Sequence, residues 1–198
     1  MIGLFDFLVK PDGDRYNNSV KVGDKDLILN TEVSSHQYIN REAVVLDPPR
    51  FNPTNISSGD KLLIHHNVFR RWYNVKGIEK NSRSFISEDR YLITTDQIFL
   101  HKRHDSSEWV SMDGYCFIQP LKSTSLLGVD TEKPLIGVVK YTDGTYKTGS
   151  LVGFSPGDEF EFVVEGKRMY RVMTRFINTK YDYKGNEEEY NPSWAHSC

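Results

Sequence analysis

With 198 residues, 38% of them hydrophobic and 26% charged, the chain is long enough to bury a core in one large domain or two small ones. Its 11 Phe, 11 Tyr and 3 Trp exclude a disordered chain. The formal net charge of −2 provides no general attraction to a phosphate backbone or an anionic membrane, so we expect neither nucleic acid nor membrane as a partner.

The cysteine content and the start of the chain favour a cytoplasmic protein. The two cysteines are Cys116, inside an apolar run, and Cys198, at the last position, and they do not form the pattern of a disulfide framework. No basic region leads into an apolar stretch near Met1, and no apolar run is long enough to span a bilayer. We therefore expect neither export nor a membrane anchor.

Short runs rich in Val, Ile, Phe and Tyr alternate with clusters of Gly, Pro, Asn and Asp, which is typical of strands and turns. The sequence predicts an all-β fold, with strands at 5–10, 26–33, 43–46, 61–67, 71–75, 91–93, 98–102, 115–120, 135–141, 159–164 and 170–177. The intervening polar segments are predicted to be loops, the boundary between two halves is expected within 102–113, and the tail from 182 to 198 is predicted to be flexible except where Trp194 docks.

The two halves contain similar segments in the same order, which predicts a duplicated unit. The matching pairs are 7–11 with 116–120, 43–46 with 136–139, 58–64 with 156–162, and 70–75 with 167–172. In the third pair a Gly-Asp dipeptide precedes each strand. Glycine can adopt a positive φ and Asp can bond its own turn backbone, so we interpret the dipeptide as a turn and not as a catalytic motif.

The first half resembles the GroES-type co-chaperonins over nearly the whole length of that family. The resemblance lies in the order of five segments: an opening strand, an apolar tripeptide in a polar surround, a second strand, a strand begun by Gly-Asp, and a closing segment with an acidic residue before two apolar ones. These are residues 7–10, 27–29, 43–46, 59–64 and 91–99. Divergent members of this family are encoded by some tailed bacteriophages, and this chain is similar to such a form.

The resemblance implies two GroES-like small β-barrel units in tandem, at 1–104 and 113–181. It also implies a homo-oligomeric ring that caps a chaperonin and assists protein folding, a viral capsid protein being one such client. ATP would be used only by the chaperonin, and no cofactor is implied. In the candidate mobile loop, Leu27, Ile28 and Leu29 would anchor the ring to the chaperonin. From the residues alone, 25–33 is equally compatible with a regular strand.

Residue patterns for catalysis or metal binding are weak, so we expect no enzyme and no metal site. His65 and His66 are adjacent, and neighbouring side chains on a strand point to opposite faces. His101 and His104 lie beside basic residues that would oppose a cation. Cys116 is expected to pack as a small hydrophobic side chain.

Two alternatives remain open. The basic and aromatic segment 69–73 has the composition of a site for single-stranded nucleic acid, but we favour a half-buried edge strand. For the whole chain, the alternative function is that of a structural or assembly protein of a virion, which would reuse a GroES-like barrel and bind neighbours through the loops at 12–25 and 76–89.

Overall fold

In the computed structural model the chain divides into two compact units, Met1–Trp109 and Val110–Cys198. The structure describes residues 3–17, 19–28, 38–124, 130–182, 185 and 187–197. Within these residues all regular structure is β-strand or short 3-10 turn, which confirms the all-β prediction. None of the helical turns in the described chain has the length and apolar character needed to cross a membrane.

The first unit is built around a seven-stranded antiparallel sheet. Six of its strands are β1 (Phe7–Pro11), β4 (Glu42–Asp47), β5 (Lys61–Ile64), β8 (Phe85–Ser87), β9 (Arg90–Ile93) and β10 (Ile98–Lys102), in the order β10-β5-β4-β1-β9-β8. The seventh strand, β11 (Trp109–Ser111), follows β10 at the edge of the sheet and begins at the last residue of the unit. Two further hairpins form separate two-stranded sheets, namely β2 (Ser19–Val22) with β3 (Lys25–Ile28) and β6 (Arg71–Tyr73) with β7 (Glu79–Asn81).

The second unit is a six-stranded antiparallel sheet. Its strands are β12 (Tyr115–Thr124), β13 (Asp130–Thr142), β14 (Leu151–Phe154), β15 (Phe160–Val164), β16 (Lys167–Met173) and β17 (Ile177–Tyr181), in the order β15-β16-β12-β13-β14-β17. Among the described residues the pairings leave both sheets open, so the closed small barrels implied by the resemblance are not seen there.

Six strands of the first sheet have the same order as the six strands of the second, and β11 has no counterpart among the described residues. Read from its other edge, the second sheet runs β17-β14-β13-β12-β16-β15, which corresponds to β10-β5-β4-β1-β9-β8. Pro11 lies opposite Ala43 as Pro120 lies opposite Gly137, and the register of each strand pair shifts two residues before its proline. The same bulge in both pairs means that β12 repeats β1 and β13 repeats β4.

The turns that enter the next strand repeat as well. Gly59 N–H donates to Val45 O at 2.8 Å, and Gly149 N–H donates to Val139 O at 2.8 Å. Farther along, β9 and β16 each pair with the first strand of their unit, and each is followed by a 3-10 turn, Thr95–Gln97 in one unit and Thr174–Phe176 in the other.

These registers correct the correspondences drawn from the sequence. The first correspondence holds, and the second is displaced by one residue, since Ala43 is equivalent to Gly137. The other two are wrong: the counterpart of 58–64 is 148–154 and not 156–162, and the counterpart of β16 is β9 and not 70–75.

The units differ in what is inserted between equivalent strands. In the first unit, residues 12–41 separate β1 from β4 and include the β2–β3 hairpin, and residues 65–84 separate β5 from β8 and include the β6–β7 hairpin. In the second unit the corresponding segments are 121–135, in which the β12–β13 pairing continues to Thr124 opposite Asp130, and 155–159. Within the described residues, the two hairpins that form separate two-stranded sheets both belong to the first unit. The core of this unit is filled by fully buried side chains such as Phe7, Leu62, Phe69 and Tyr91.

Candidate functional site: an apolar hairpin on a hydrogen-bonded neck

The β2–β3 hairpin contains two of the three residues proposed as the chaperonin anchor. Ser19 lies opposite Ile28, Val22 lies opposite Lys25, and the two-residue turn between them begins at Gly23 with a φ of 63°. Glycine adopts that conformation without the steric cost of a side chain. Leu27 and Ile28 thus lie on a strand, but one that pairs with β2 alone and takes no place in the main sheet. Leu29 lies outside the described residues.

Apolar side chains of this hairpin face solvent. Val22 is 61% exposed, Leu27 is 55% exposed and Ile28 is 63% exposed. Leu27 and Ile28 point to opposite faces because they are neighbours on a strand, whereas Val22 lies diagonally across from Leu27 on the same face. Val22 is a residue that the sequence analysis did not select, although its apolar side chain beside a Gly-Asp turn marks a hairpin tip.

The hairpin is joined to the sheet by a neck that consists of residues 12–17 and 38–42. The two chain segments of the neck are bonded to each other: Asn17 N–H donates to Tyr38 O at 2.7 Å, and Asn40 N–H donates to Arg15 O at 3.1 Å. Tyr16 and Ile39 form an isolated antiparallel bridge between these bonds. The neck therefore holds the two ends of the inserted segment, residues 12–17 and 38–42, side by side.

Asn40 is the central side chain of the neck, and it is 4% exposed. Its Nδ2 donates to Asp12 O at 2.9 Å and to Asp14 O at 2.8 Å, and its Oδ1 accepts from Glu42 N–H at 2.8 Å. One buried amide thus satisfies three backbone groups on both sides of the neck, which an aliphatic side chain of similar size could not do.

Arg15 fixes the neck to the core of the first unit. Its Nε donates to Phe69 O at 2.7 Å, and its guanidinium lies 5.3 Å from the ring centre of Phe85 and 5.4 Å from that of Tyr91. Glu88 lies 3.5 Å from the same guanidinium. Burial raises the pKa of Tyr91 to about 12, so its ring stays neutral beside the cation.

A second charged contact ties the neck to the strand behind it. Lys61, at the start of β5, places Nζ 2.5 Å from the carboxylate of Asp12. The side-chain hydrogen bond to Asp12 raises the pKa of Lys61, while desolvation acts in the opposite direction. Hydrogen bonds, a buried arginine and this ion pair together give the apolar hairpin a defined base.

Several described side chains of chemical interest lie outside the hairpin and its neck. Cys116 is fully buried, and burial raises the pKa of its thiol to about 11. The expectation that His65 and His66 point to opposite faces of a strand is wrong: β5 ends at Ile64, a 3-10 turn begins at His66, and the two rings stack with centres 4.4 Å apart. Desolvation lowers the pKa of His101. In the described parts of the chain, His, Cys, Asp and Glu side chains form no group of three or more that would suit a metal ion.

The end of the chain contacts the second unit. Lys122 N–H donates to Glu188 O at 2.7 Å, Tyr190 N–H donates to Pro120 O at 2.8 Å, and Lys140 forms an ion pair with Glu189. Asn191 Oδ1 accepts from the backbone N–H of Arg168 at 2.9 Å. Residues 188–191 lie within the segment that the sequence predicts to be flexible, and these contacts place them along β12.

Comparison of the chain with family models, with curated proteins and with solved structures gave no match.

Proposed function

We propose that the protein is a co-chaperonin-like lid that binds a chaperonin ring through the β2–β3 hairpin. The observation on which this rests is the set of exposed apolar side chains, Val22, Leu27 and Ile28, on a hairpin with a bonded neck. The resemblance to GroES-type co-chaperonins implies a chaperonin-binding loop between the opening strand and the next long strand. Residues 12–41 occupy that interval between β1 and β4.

The duplicated sheet supports the tandem arrangement within this proposal. Both units would be GroES-like, with the first contacting the chaperonin through a separate hairpin and the second contributing a further β unit without a separate two-stranded sheet among its described residues. Several chains in a homo-oligomeric ring would present several hairpins at once, so weak individual contacts would add up to a stable complex. The chaperonin would hydrolyse the ATP, and the chain would act in the cytoplasm, on capsid proteins in the case of a viral origin.

The physical requirement for reversible capping is modest affinity at each contact. Burial of one Leu, Ile or Val side chain contributes roughly 1.5–3 kcal/mol, so two or three such side chains suffice for a contact that forms and breaks in every cycle. The bonded neck reduces the conformational entropy lost on docking, because the base of the hairpin is already ordered.

The proposal predicts that Ile28→Asp and Val22→Asp prevent the formation of a complex with a GroEL-type chaperonin in the presence of ATP. Each change removes about 2 kcal/mol of apolar contact, which lowers the affinity of one hairpin for the chaperonin about 30-fold, and the introduced charge opposes burial as well. The affinity of a whole ring falls by more than this, because several hairpins bind together. Size-exclusion chromatography with light scattering measures the complex. Val75→Asp is the matched control, since Val75 is a fully exposed aliphatic residue at the tip of the other hairpin.

Wild-type protein that ignores the chaperonin, with or without nucleotide, would contradict the proposal. The alternative is an assembly or structural protein of a virion, and one observation favours it. Leu4, Phe5 and Phe51 are exposed together, with the rings of Phe5 and Phe51 5.7 Å apart, as is typical of a surface that joins copies or neighbours. A stable self-assembly that Phe5→Ser dissolves, without any chaperonin complex, would support this alternative.

A further inference from the structure

The β6–β7 hairpin is not used by the proposed function, and its charge differs from that of the whole chain. Residues 70–83, hereafter the basic hairpin, contain five basic residues and one acidic residue, Glu79, in a chain whose net charge is −2. The basic residues are Arg70, Arg71, Lys76, Lys80 and Arg83. A local concentration of one sign on a projecting element attracts groups of the opposite sign over about one Debye length, ~8 Å at physiological salt.

The single acidic side chain neutralises only one face of this hairpin. Arg71 Nη1 lies 3.3 Å from Glu79 Oε1, and the Arg71 guanidinium stacks 4.8 Å from the ring centre of Tyr16. Trp72 lies opposite Lys80 in the register, so these two side chains share the other face. That face therefore has an indole and an ammonium group side by side, and Glu79 lies on the opposite face.

A groove of about 740 Å³ lies along the base of the basic hairpin. Two arginines and two aromatic residues, Arg70, Arg83, Trp72 and Tyr73, line it together with neutral polar side chains, and none of the described lining residues has a carboxylate. The buried Nε of Arg70 has no hydrogen-bond partner in the part of the chain that the structure describes. A desolvated guanidinium donor without an acceptor is costly unless a bound group satisfies it.

The tip of the basic hairpin is apolar and preformed. Val75 is fully exposed and Ile78 is about half exposed. Asn74 holds the turn, because its Oδ1 accepts from the backbone N–H groups of Lys76 and Ile78, both at 2.9 Å, and its own N–H donates to Ile78 O at 3.0 Å. A rigid turn that presents aliphatic side chains loses little entropy when a partner covers it.

We infer that the basic hairpin binds an acidic protein segment that also contains aliphatic side chains. Carboxylates of the segment would pair with Arg70 and Arg83, and its aliphatic groups would pack on Trp72 and on the tip. Charge complementarity selects an acidic partner. The combination of Trp, Tyr and Arg is that of residues which dominate protein–protein binding energy. The aliphatic tip favours a protein segment over single-stranded nucleic acid, which binds chiefly through bases stacked on aromatic rings and phosphates paired with basic side chains.

The test uses the full-length protein and a fluorescein-labelled peptide of four Glu-Glu-Leu repeats, with binding followed by fluorescence anisotropy. The matched peptide contains Gln in place of every Glu. We expect the Glu peptide to bind at least about 10-fold more tightly than the Gln peptide, because a 10-fold difference corresponds to about 1.4 kcal/mol and one charge-assisted pair can supply that. We also expect the affinity of the Glu peptide to fall as salt rises from 50 to 300 mM, since salt screens the attraction between charges.

Two classes of variant locate the site. Arg70→Gln and Arg83→Gln should each weaken the Glu peptide about 10-fold, and Val75→Ser, at a fully exposed position that cannot disturb the core, should weaken both peptides. Arg90→Gln is the matched control, since Arg90 is an exposed arginine of β9 outside the basic hairpin. All of these variants should retain the chaperonin complex, so this inference and the proposed function can fail independently.

Three outcomes would overturn the inference. The first is equal affinity for the Glu and Gln peptides. The second is wild-type affinity for the Glu peptide in both the Arg70→Gln and the Val75→Ser variants. The third is a labelled oligo-dT of twelve nucleotides that binds more tightly than the Glu peptide and competes with it, which would assign the basic hairpin to nucleic acid.

Discussion

At the scale of single residues, the neck of the β2–β3 hairpin depends on one buried amide. Asn40 donates to the carbonyls of Asp12 and Asp14 and accepts from the N–H of Glu42, so its hydrogen bonds reach both chain segments of the neck. The sequence does not single out Asn40, because an Asn between Ile39 and Arg41 is an ordinary loop residue. Its role depends on a backbone arrangement that only the folded chain creates.

We predict that Asn40→Ala lowers the free energy of unfolding of the first unit by about 2–4 kcal/mol, because three backbone groups lose their partner in a buried place. Urea denaturation followed by tryptophan fluorescence measures the change. Asn178→Ala is the control, since Asn178 is exposed and donates to Ser155 Oγ at 3.2 Å, and its loss should cost less than about 0.5 kcal/mol. A cost below about 1 kcal/mol for Asn40→Ala would show that water replaces the amide.

Cys116 allows a prediction about reactivity and pH. Burial raises the pKa of its thiol from 9.0 to about 11, and a weak bond from Sγ to Thr142 Oγ1 at 3.6 Å opposes this only in part. The folded state thus holds the thiol proton more tightly than the unfolded state does. The protonated Cys116 thiol therefore adds to the free energy of unfolding, fully below pH 9, and this contribution is lost as the pH rises toward 11.

In a Cys198→Ser variant, which leaves Cys116 as the one cysteine, we expect native protein at pH 8 to react with a disulfide reagent at least about 100-fold more slowly than unfolded protein. The factor follows from the thiolate fractions at the two pKa values, and burial of the sulfur slows the reaction further. Absorbance of the released thiol measures the rate. A native rate within tenfold of the unfolded rate would mean that Cys116 is accessible.

At the scale of elements, apolar runs predict most strands of the two sheets, but burial does not separate the correct predictions from the missed strands. Strand β14 (Leu151–Phe154) is buried throughout and was not predicted, whereas the exposed β6 (Arg71–Tyr73) was. The sheet strands around Phe7, Leu62 and Phe117 are continuous apolar runs, and these were recognised. In the projecting hairpins one strand of each pair was predicted and its partner missed: the missed β7 (Glu79–Asn81) is wholly polar, and the missed β2 (Ser19–Val22) has only two apolar residues. The predicted strand at 170–177 is interrupted by the 3-10 turn Thr174–Phe176, which changes the partner of the chain from β12 to β14.

The sequence predicts the duplicated unit, but two of the four segment correspondences are wrong. For the segment that begins at the Gly-Asp turn, the cause is that similar glycine turns occur at more than one place. Gly59 has a φ of 90°, Gly149 one of 84° and Gly157 one of 90°, so all three occupy turns that only glycine enters readily. The Gly-Asp dipeptide favoured Gly157 as the counterpart of Gly59. The hydrogen bond from Gly149 to Val139 identifies Gly149 instead. The residues of a turn therefore predict that a turn exists, but only the pairing of the flanking strands shows which turn of the second unit is equivalent to the turn at Gly59.

At the scale of the whole molecule, the chain contains two sheets that share a common order of six strands, and each sheet has buried apolar side chains of its own. The second unit buries Cys116, Ile118, Val139, Val152 and Val172 as one apolar cluster. The first unit has both of the inserted hairpins and hence both proposed binding surfaces. This arrangement predicts that damage to the second sheet leaves the fold of the first unit intact.

Gly137→Ala tests that independence. A Cβ at this position would lie 2.4 Å from Gln119 O and 2.6 Å from Ile118 Cγ2, so the pairing of β12 with β13 must shift. At the equivalent place in the first unit, a buried alanine, Ala43, is accommodated. We expect a cost of about 2–4 kcal/mol, which should accelerate amide hydrogen exchange in the second sheet about 30- to 1000-fold.

Hydrogen exchange followed by mass spectrometry separates the two units in one experiment. Peptides from β12 to β17 should exchange faster in Gly137→Ala, while those from β1 to β10 should keep wild-type rates, because local openings stay within a cooperative unit. Gly157→Ala is the matched control: its Cβ would meet nothing within 4 Å, so only the strain of a φ of 90° remains, about 1–2 kcal/mol. Equal acceleration in both units would mean that the two sheets unfold as one, and the variant should then also weaken both proposed binding surfaces.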